Sequence, residues 1–435
     1  MVALTPLKNT PLRNLRNLYF PRSLMCAFLK GTPPLTQIKV TSRATNIEYA
    51  IRDVIPYTQQ LVKDGRKIYY LNIGDPPAFD FTVPQHVKDA LCTAVQEDVN
   101  YYSPSEGIPE LREAIAKKEK RVNNVDITPN DILVTEGISE GIQMALAAVV
   151  ERGDEILFPG PTYPPYISYT KFFKGTPVSY ETVEAEDWQP NVDDLRKKIS
   201  SKTRALVIIN PNNPTGAVYG KKIITEMLDV AAEHGLLVLS DEIYDQITYS
   251  EPFFSTASLA KDVPVVGFNG FSKAYQMTGL RLGYLYFKGK NGELDELRQG
   301  IEKECRIRLC ANTPVQKAGA AALNGPQDHI KDVVEKLRER RDYAWKRLNE
   351  IEGISSTKPE GAFYIFPKIH DVGTRWKTDM QFVIELLRET GVLVVNGSGF
   401  DPVYGAGHVR AVFLPPVNML EEAFNAVERF MKNKK

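Results

Sequence analysis

The chain is poor in the features that mark several protein classes. Its four cysteines, Cys26, Cys92, Cys305 and Cys310, form no C-x-x-C pair. Cysteines this sparse build neither a disulfide framework nor a zinc site, so a reducing, cytoplasmic interior is the natural setting. A run of about 18 apolar residues is absent as well, which excludes a membrane-spanning helix. Net charge is also missing: Lys plus Arg and Asp plus Glu both number 54. A balanced chain offers no basic face by composition to nucleic acid or to an anionic membrane surface. The partner that fits these absences is a small, neutral-to-anionic metabolite.

Acid is missing locally at the start. No Asp or Glu precedes Glu48, whereas Lys8, Arg13, Arg16, Arg22, Lys30, Lys39 and Arg43 are all basic. That composition is similar to an organellar transit peptide, yet Pro6, Pro11, Pro21, Pro33 and Pro34 would interrupt an amphipathic helix. The reading adopted is a disordered extension over residues 1–40, with targeting as the lesser alternative. Beyond it, a chain of 435 residues, 43% hydrophobic and 25% charged, can bury a large core and should form two domains.

The stretch around which the rest is organised is NGFSKAYQMTGLRLG, residues 269–283. It follows the apolar run VPVVGF (263–268), so Lys273 sits in the turn leaving a buried strand. Loops that leave parallel strands are where open α/β sheets gather ligands. A lysine held there loses its proton more easily than one in water, because burial and a neighbouring cation both disfavour the ammonium form. Schiff-base chemistry needs that property.

With Gly270, Ser272, Lys273, Gly279, Arg281 and Gly283 in place, the segment resembles the lysine signature of class I/II aminotransferases. The resemblance implies that Lys273 carries pyridoxal 5'-phosphate (PLP) covalently, while Ser272 and Arg281 bind its phosphate. Gln276 stands where that family prefers a smaller residue.

Further motifs follow the family's order. A helical spacing covers 47–65 and stops at a glycine, followed by a strand and a Gly-Asp-Pro turn at Gly74; the resemblance sets the Gly74 backbone against the substrate carboxylate. Tyr102, Gly107, Leu111 and Arg112 match a Y-x-x-x-x-G-x-x-x-L-R element, by which Tyr102 reaches the cofactor phosphate of a neighbouring subunit. DILVTEGISEGIQMALAAVV (131–150) reads as strand, glycine turn and apolar helix. Free N–H groups and the dipole at a helix start favour an anion. Gly137, Ile138 and Ser139 therefore form the phosphate cup beside Lys273 and Arg281, although an N-cap serine alone would look the same.

Tyr163, in a proline-stiffened loop, matches the position that stacks on the pyridine ring; core packing is the other reading. The strand ALVIIN runs into PNNPTG, whose Asn213 the resemblance assigns to the cofactor's phenolic oxygen and the substrate. Asp241 ends the buried strand of LLVLSDEIYDQITY, where an unpaired carboxylate is costly. A pyridinium nitrogen is the partner implied, with Tyr244 a second donor to the phenolic oxygen. Arg308, in RIRLCANTPVQ, approaches a distal substrate carboxylate or holds a dimer. Arg410, flanked by strand residues of HVRAVFLPP, matches the arginine gripping the α-carboxylate through two parallel hydrogen bonds.

The α/β alternation implies a mostly parallel sheet between helices. The family implies PLP-dependent transferase fold type I, a large domain with that sheet plus a smaller α+β domain. The expected boundaries are an extension at 1–40, an arm contributing to the small domain at 41–75, the large domain at 76–318 and the small domain at 319–435. One long helix is expected from about Gln316 to Glu352, leading from large to small domain. Implied function is ping-pong transfer of an amino group from an L-amino acid to a 2-oxo acid, in a homodimer with shared active sites. L-alanine with 2-oxoglutarate is the foremost pair, close to archaeal-type alanine aminotransferases. Aspartate or aromatic donors, a PLP lyase or synthase, and a non-catalytic ligand sensor are the alternatives.

Overall fold

A computed structural model describes residues 38–434. Of the basic stretch read as an extension, only 38–40 fall among the described residues. The described residues up to Asn46 fall in one unit and carry a single short helix, Ser42–Thr45. Ile47–Lys435 forms the other unit.

The larger unit is built on an eight-stranded sheet. From one edge its strands are Ile132–Thr135, Gly283–Lys288, Val265–Gly270, Leu237–Asp241, Thr203–Ile209, Glu155–Gly160, Thr176–Val183 and Gln189–Pro190. The pairings from Val265–Gly270 across to Thr176–Val183 are parallel, whereas Gly283–Lys288 runs against both its neighbours. Strands buried on both faces need apolar residues in succession rather than alternation, and ALVII supplies them. Leu206 and Ile208 pack with Met227, Val230 and Ala231 of helix Lys221–Glu233 on one face. Val207 and Ile209 turn to the other, with Ile142 and Leu146 of helix Ile138–Val149.

A second apolar core gathers residues from Val54 to Phe81, from Leu337 to Met431 and, between these, Ile243, Tyr244, Ile247 and Tyr249. Tyr364–Ile365, Val409–Val412 and Val395–Asn396 form an antiparallel sheet there, and Tyr69–Tyr70 pairs in parallel with Val392–Leu393. Helices Asp379–Thr390 and Val417–Asn433 contribute their apolar faces.

Two helix expectations need correction. The spacing over 47–65 yields three pieces, Ala50–Asp53, Ile55–Tyr57 and Thr58–Lys63, because Pro56 interrupts the hydrogen-bond ladder. The single helix expected from Gln316 is two, Thr313–Asn324 and Asp328–Asn349, divided at Gly325–Pro326. Proline disfavours helical geometry in the residue before it and cannot donate to the turn behind.

Candidate active site

The parallel strands end around a cavity of about 860 Å³. Gly74, Ile138, Ser139, Tyr163, Asn213, Asp241, Tyr244, Ser272, Lys273, Arg281 and Arg410 all line it. They come from segments more than three hundred residues apart.

Lys273 lies three residues beyond the Val265–Gly270 strand, in a turn closed by the Met277 N–H donating to Phe271 O at 3.1 Å. Gln276, at φ +60°, caps that turn: its side-chain amide donates to Lys273 O at 2.7 Å. Lys273 Nζ donates to Gly74 O at 2.8 Å and stands 5.2 Å from the centre of the Phe363 ring. Burial pushes its ammonium down to about 8, helped by the charges of Arg410 and Arg281 against the carboxylates of Asp75 and Asp241. An amine in that range can both hold and release a proton near neutrality.

Asp241 closes the Leu237–Asp241 strand and is 2% exposed. Its Oδ2 accepts from Tyr166 Oη at 3.0 Å and its Oδ1 from Ile243 N at 3.3 Å. No described cation lies within salt-bridge distance of it. Burial therefore lifts the carboxyl to about 6, although both hydrogen bonds and the charge of Lys273 oppose that.

Arg410 is the mirror case. It sits in the Val409–Val412 strand, 1% exposed, with its guanidinium between the rings of Tyr364 at 4.4 Å and Phe400 at 4.8 Å. Nη1 donates to Asn213 Oδ1 at 2.9 Å and Nη2 to Asn72 O, while buried Nε has no partner. No described carboxylate pairs with it. With Asn213 Oδ1 accepting from Arg410, the amide nitrogen of Asn213 remains to donate into the cavity.

The anion cup forms where helix Ile138–Val149 begins. Gly137 adopts φ +74°, and a Cβ there would strike the Arg281 guanidinium. Arg281 is held beside this helix start by Nη1 donating to Thr278 O at 3.1 Å and Nη2 to Glu136 O at 3.4 Å. Gly283 likewise leaves room for the backbone of Gly137 and Ile138 to pass.

PLP fits this donor set. An anionic phosphate suits Arg281, Ser139, Ser272 and the free N–H groups of the helix start; a protonated ring nitrogen suits the unpaired Asp241 carboxylate; an aldehyde suits the low-pKa amine of Lys273. Tyr163 and Tyr244 supply aromatic wall on the same cavity.

Tyr102 and Arg308 stand apart. Tyr102 is 79% exposed and does not line the cavity. Arg308 donates to Val134 O at 3.0 Å, lies 3.6 Å from Glu140, and does not reach the cavity of its own chain. Three cavity residues were given no role from sequence, Tyr49, whose hydroxyl is 3.4 Å from that of Tyr163, Asp75 and Tyr364, and neither was Tyr166, which stands behind the cavity on Asp241. Tyr166 follows Tyr163 by three positions on one helix face, which was the available signal. Tyr364 had none, since its partners are distant in sequence.

The family model for aminotransferase class I and II matches residues 66–427, and the chain belongs to that family. It is a PLP-dependent enzyme of fold type I that transfers amino groups. An alanine aminotransferase from Pyrococcus furiosus is 55% identical with a TM-score of 0.89, covering 91% of this chain and 100% of that one. Glutamate-pyruvate aminotransferase AlaA of Escherichia coli (strain K12) is 36% identical over 403 residues, 91% of this chain and 98% of that protein. An alanine aminotransferase of Mycobacterium tuberculosis (strain ATCC 25618 / H37Rv) is 39% identical over 398 residues, 90% and 92% respectively.

Proposed function

We propose that this aminotransferase moves the amino group of L-alanine to 2-oxoglutarate, giving pyruvate and L-glutamate. The observation that carries the assignment of roles is the meeting of Lys273, Asp241 and Arg410 on one cavity, each buried or part-buried and none with a described counter-ion in salt-bridge contact. The names of the relatives favour alanine.

Bound PLP supplies an electron sink for the bond at the substrate's α-carbon. Arg410, fixed between two rings, binds the α-carboxylate with the Gly74 backbone beside it. Asn213 and Tyr244 donate towards the cofactor's phenolic oxygen. Asp241 holds positive charge at the ring nitrogen. Lys273 carries a proton to and from the α-carbon, a task for which an amine near its operating pH is suited. Arg281, Ser139, Ser272 and the start of the Ile138–Val149 helix hold the phosphate.

A homodimer belongs to the same proposal. Tyr101, Tyr102, Ile307 and Leu309 are exposed large hydrophobics, and their segments are tied together by Thr313 Oγ1 donating to Tyr101 O at 2.7 Å. A second copy covering this face would bring Tyr102 to the other cavity. The domain limits at 75/76 and 318/319 are also proposed; the two apolar cores favour a division of this kind, although helix Thr313–Asn324 runs across the second limit and Phe81 packs in the second core. A reducing cytoplasmic setting is proposed as well, supported by free Cys92, Cys305 and Cys310.

The test is a steady-state panel of amino donors with 2-oxoglutarate. Alanine should show the highest kcat/KM. A higher value for aspartate or tyrosine would overturn the alanine assignment.

A further inference from the structure

Two phenols meet at the cavity wall. Tyr244 Oη and Tyr364 Oη are 2.7 Å apart, both residues are 3% exposed, and the Tyr244 ring packs edge to face on Tyr364 at 5.7 Å and on Phe363 at 5.3 Å. Tyr364 Oη presses against Gly74, where a Cβ would collide with it. Arg410 lies over the Tyr364 ring at 4.4 Å. Each hydroxyl has one proton, so only one of the two can donate to the other, and the direction decides what Tyr244 has left for the cavity.

We propose that Tyr364 is a positioning residue: its hydroxyl donates to Tyr244 Oη, which commits the Tyr244 proton to the cofactor's phenolic oxygen. This rests on the role given to Tyr244 above. The opposite direction would leave Tyr244 donating to Tyr364 and unable to donate into the cavity. The better donor of a phenol pair is the stronger acid. Burial raises both, Tyr244 further; the Arg410 charge opposes this in both, and it lies directly over the Tyr364 ring, where it ranks next after burial. The other charged or titratable groups facing the pair are Tyr49, Tyr163, Asp241 and Lys273, none of which hydrogen-bonds to Tyr364.

The test is a visible-absorbance pH titration of the PLP-loaded enzyme without substrate, on the unaltered protein, Tyr364→Phe, Tyr244→Phe and the double variant. Weaker donation leaves more negative charge on the phenolic oxygen, which then holds the proton on the neighbouring lysine nitrogen more tightly. Tyr364→Phe should therefore move the titration midpoint upward by about half a unit to one unit, and Tyr244→Phe by more in the same direction. The double variant should titrate within about 0.3 unit of Tyr244→Phe, because the second phenol acts only through the first. An unmoved midpoint in Tyr364→Phe, or a shift that adds in full to that of Tyr244→Phe, overturns the inference. Absence of any titrating band in the unaltered protein would instead sink the cofactor assignment.

Discussion

Replacing Asp241 by Asn should make the cofactor-free protein more stable while disabling the enzyme. The carboxylate is 2% exposed, and burial lifts it from the ordinary 3.8 to about 6. A carboxyl whose folded pKa lies above its unfolded one is least costly at low pH, and its ionisation drains stability as pH rises from 3.8 towards 6. With both states ionised at pH 8, a gap of about 2 units corresponds to roughly 3 kcal/mol. Asn keeps one acceptor but sets an N–H toward a present donor, so the net gain should be about 1–2 kcal/mol. Urea unfolding of the cofactor-free protein should show Asp241→Asn ahead at pH 8 and the gap closing by pH 4. Turnover should fall on the order of a hundredfold to a thousandfold, because a preorganised charge aimed at the reacting ring is lost. A variant less stable at pH 8, or a stability difference that ignores pH, would refute the reasoning.

Three further outcomes follow from the same geometry. Lys273→Ala should abolish turnover and the absorbance of the lysine-bound cofactor; retention of both would displace Lys273 from its role. Arg410→Lys should raise KM for alanine by about tenfold to a hundredfold, since an ammonium cannot reproduce a planar two-point grip, and steady-state kinetics at fixed 2-oxoglutarate measures it. Glu242→Gln concerns stability away from the cavity: burial, with the nearby Glu119 charge, raises Glu242 to about 8, and its Oε2 has no partner. The unaltered protein should lose stability as pH rises from about 4.5 to 8 through this group, so the glutamine variant should gain in urea midpoint at pH 9 and little at pH 5.

Features encoded within a few residues were legible in the sequence. The buried strands announced themselves because a sheet covered on both faces writes continuous apolar runs, and the residues that end two of them, Ile209 and Asp241, line the cavity. The helix start at Ile138 was readable from Gly137 and the apolar spacing that follows. Breaks were harder: Pro56 and Pro326 each cut a helical pattern whose periodicity continued across them. What could not be read was pairing between distant side chains. Tyr166 meets Asp241 across 75 positions and Tyr244 meets Tyr364 across 120, distances at which no local pattern carries information.

The charged groups of the cavity share one condition. Lys273 is pushed down, Asp241 up and Arg410 down, in each case with burial as the leading cause, so each is displaced towards its neutral form. A fold selected for stability alone would pair these charges with one another or replace them with apolar side chains. Here Lys273 donates to a backbone carbonyl, Asp241 accepts from a phenol and a backbone N–H, and Arg410 is turned to an amide and a carbonyl. Neutral hydrogen bonds hold the three in position without cancelling their charges. The partners that would complete them are those the proposed chemistry brings: as counter-ions, a pyridinium for Asp241 and a carboxylate for Arg410, and for the neutral amine of Lys273 an aldehyde carbon to bond. The cost of burying these charges and the affinity for those groups thus have the same physical origin, and a substitution that relieves the first should weaken the second.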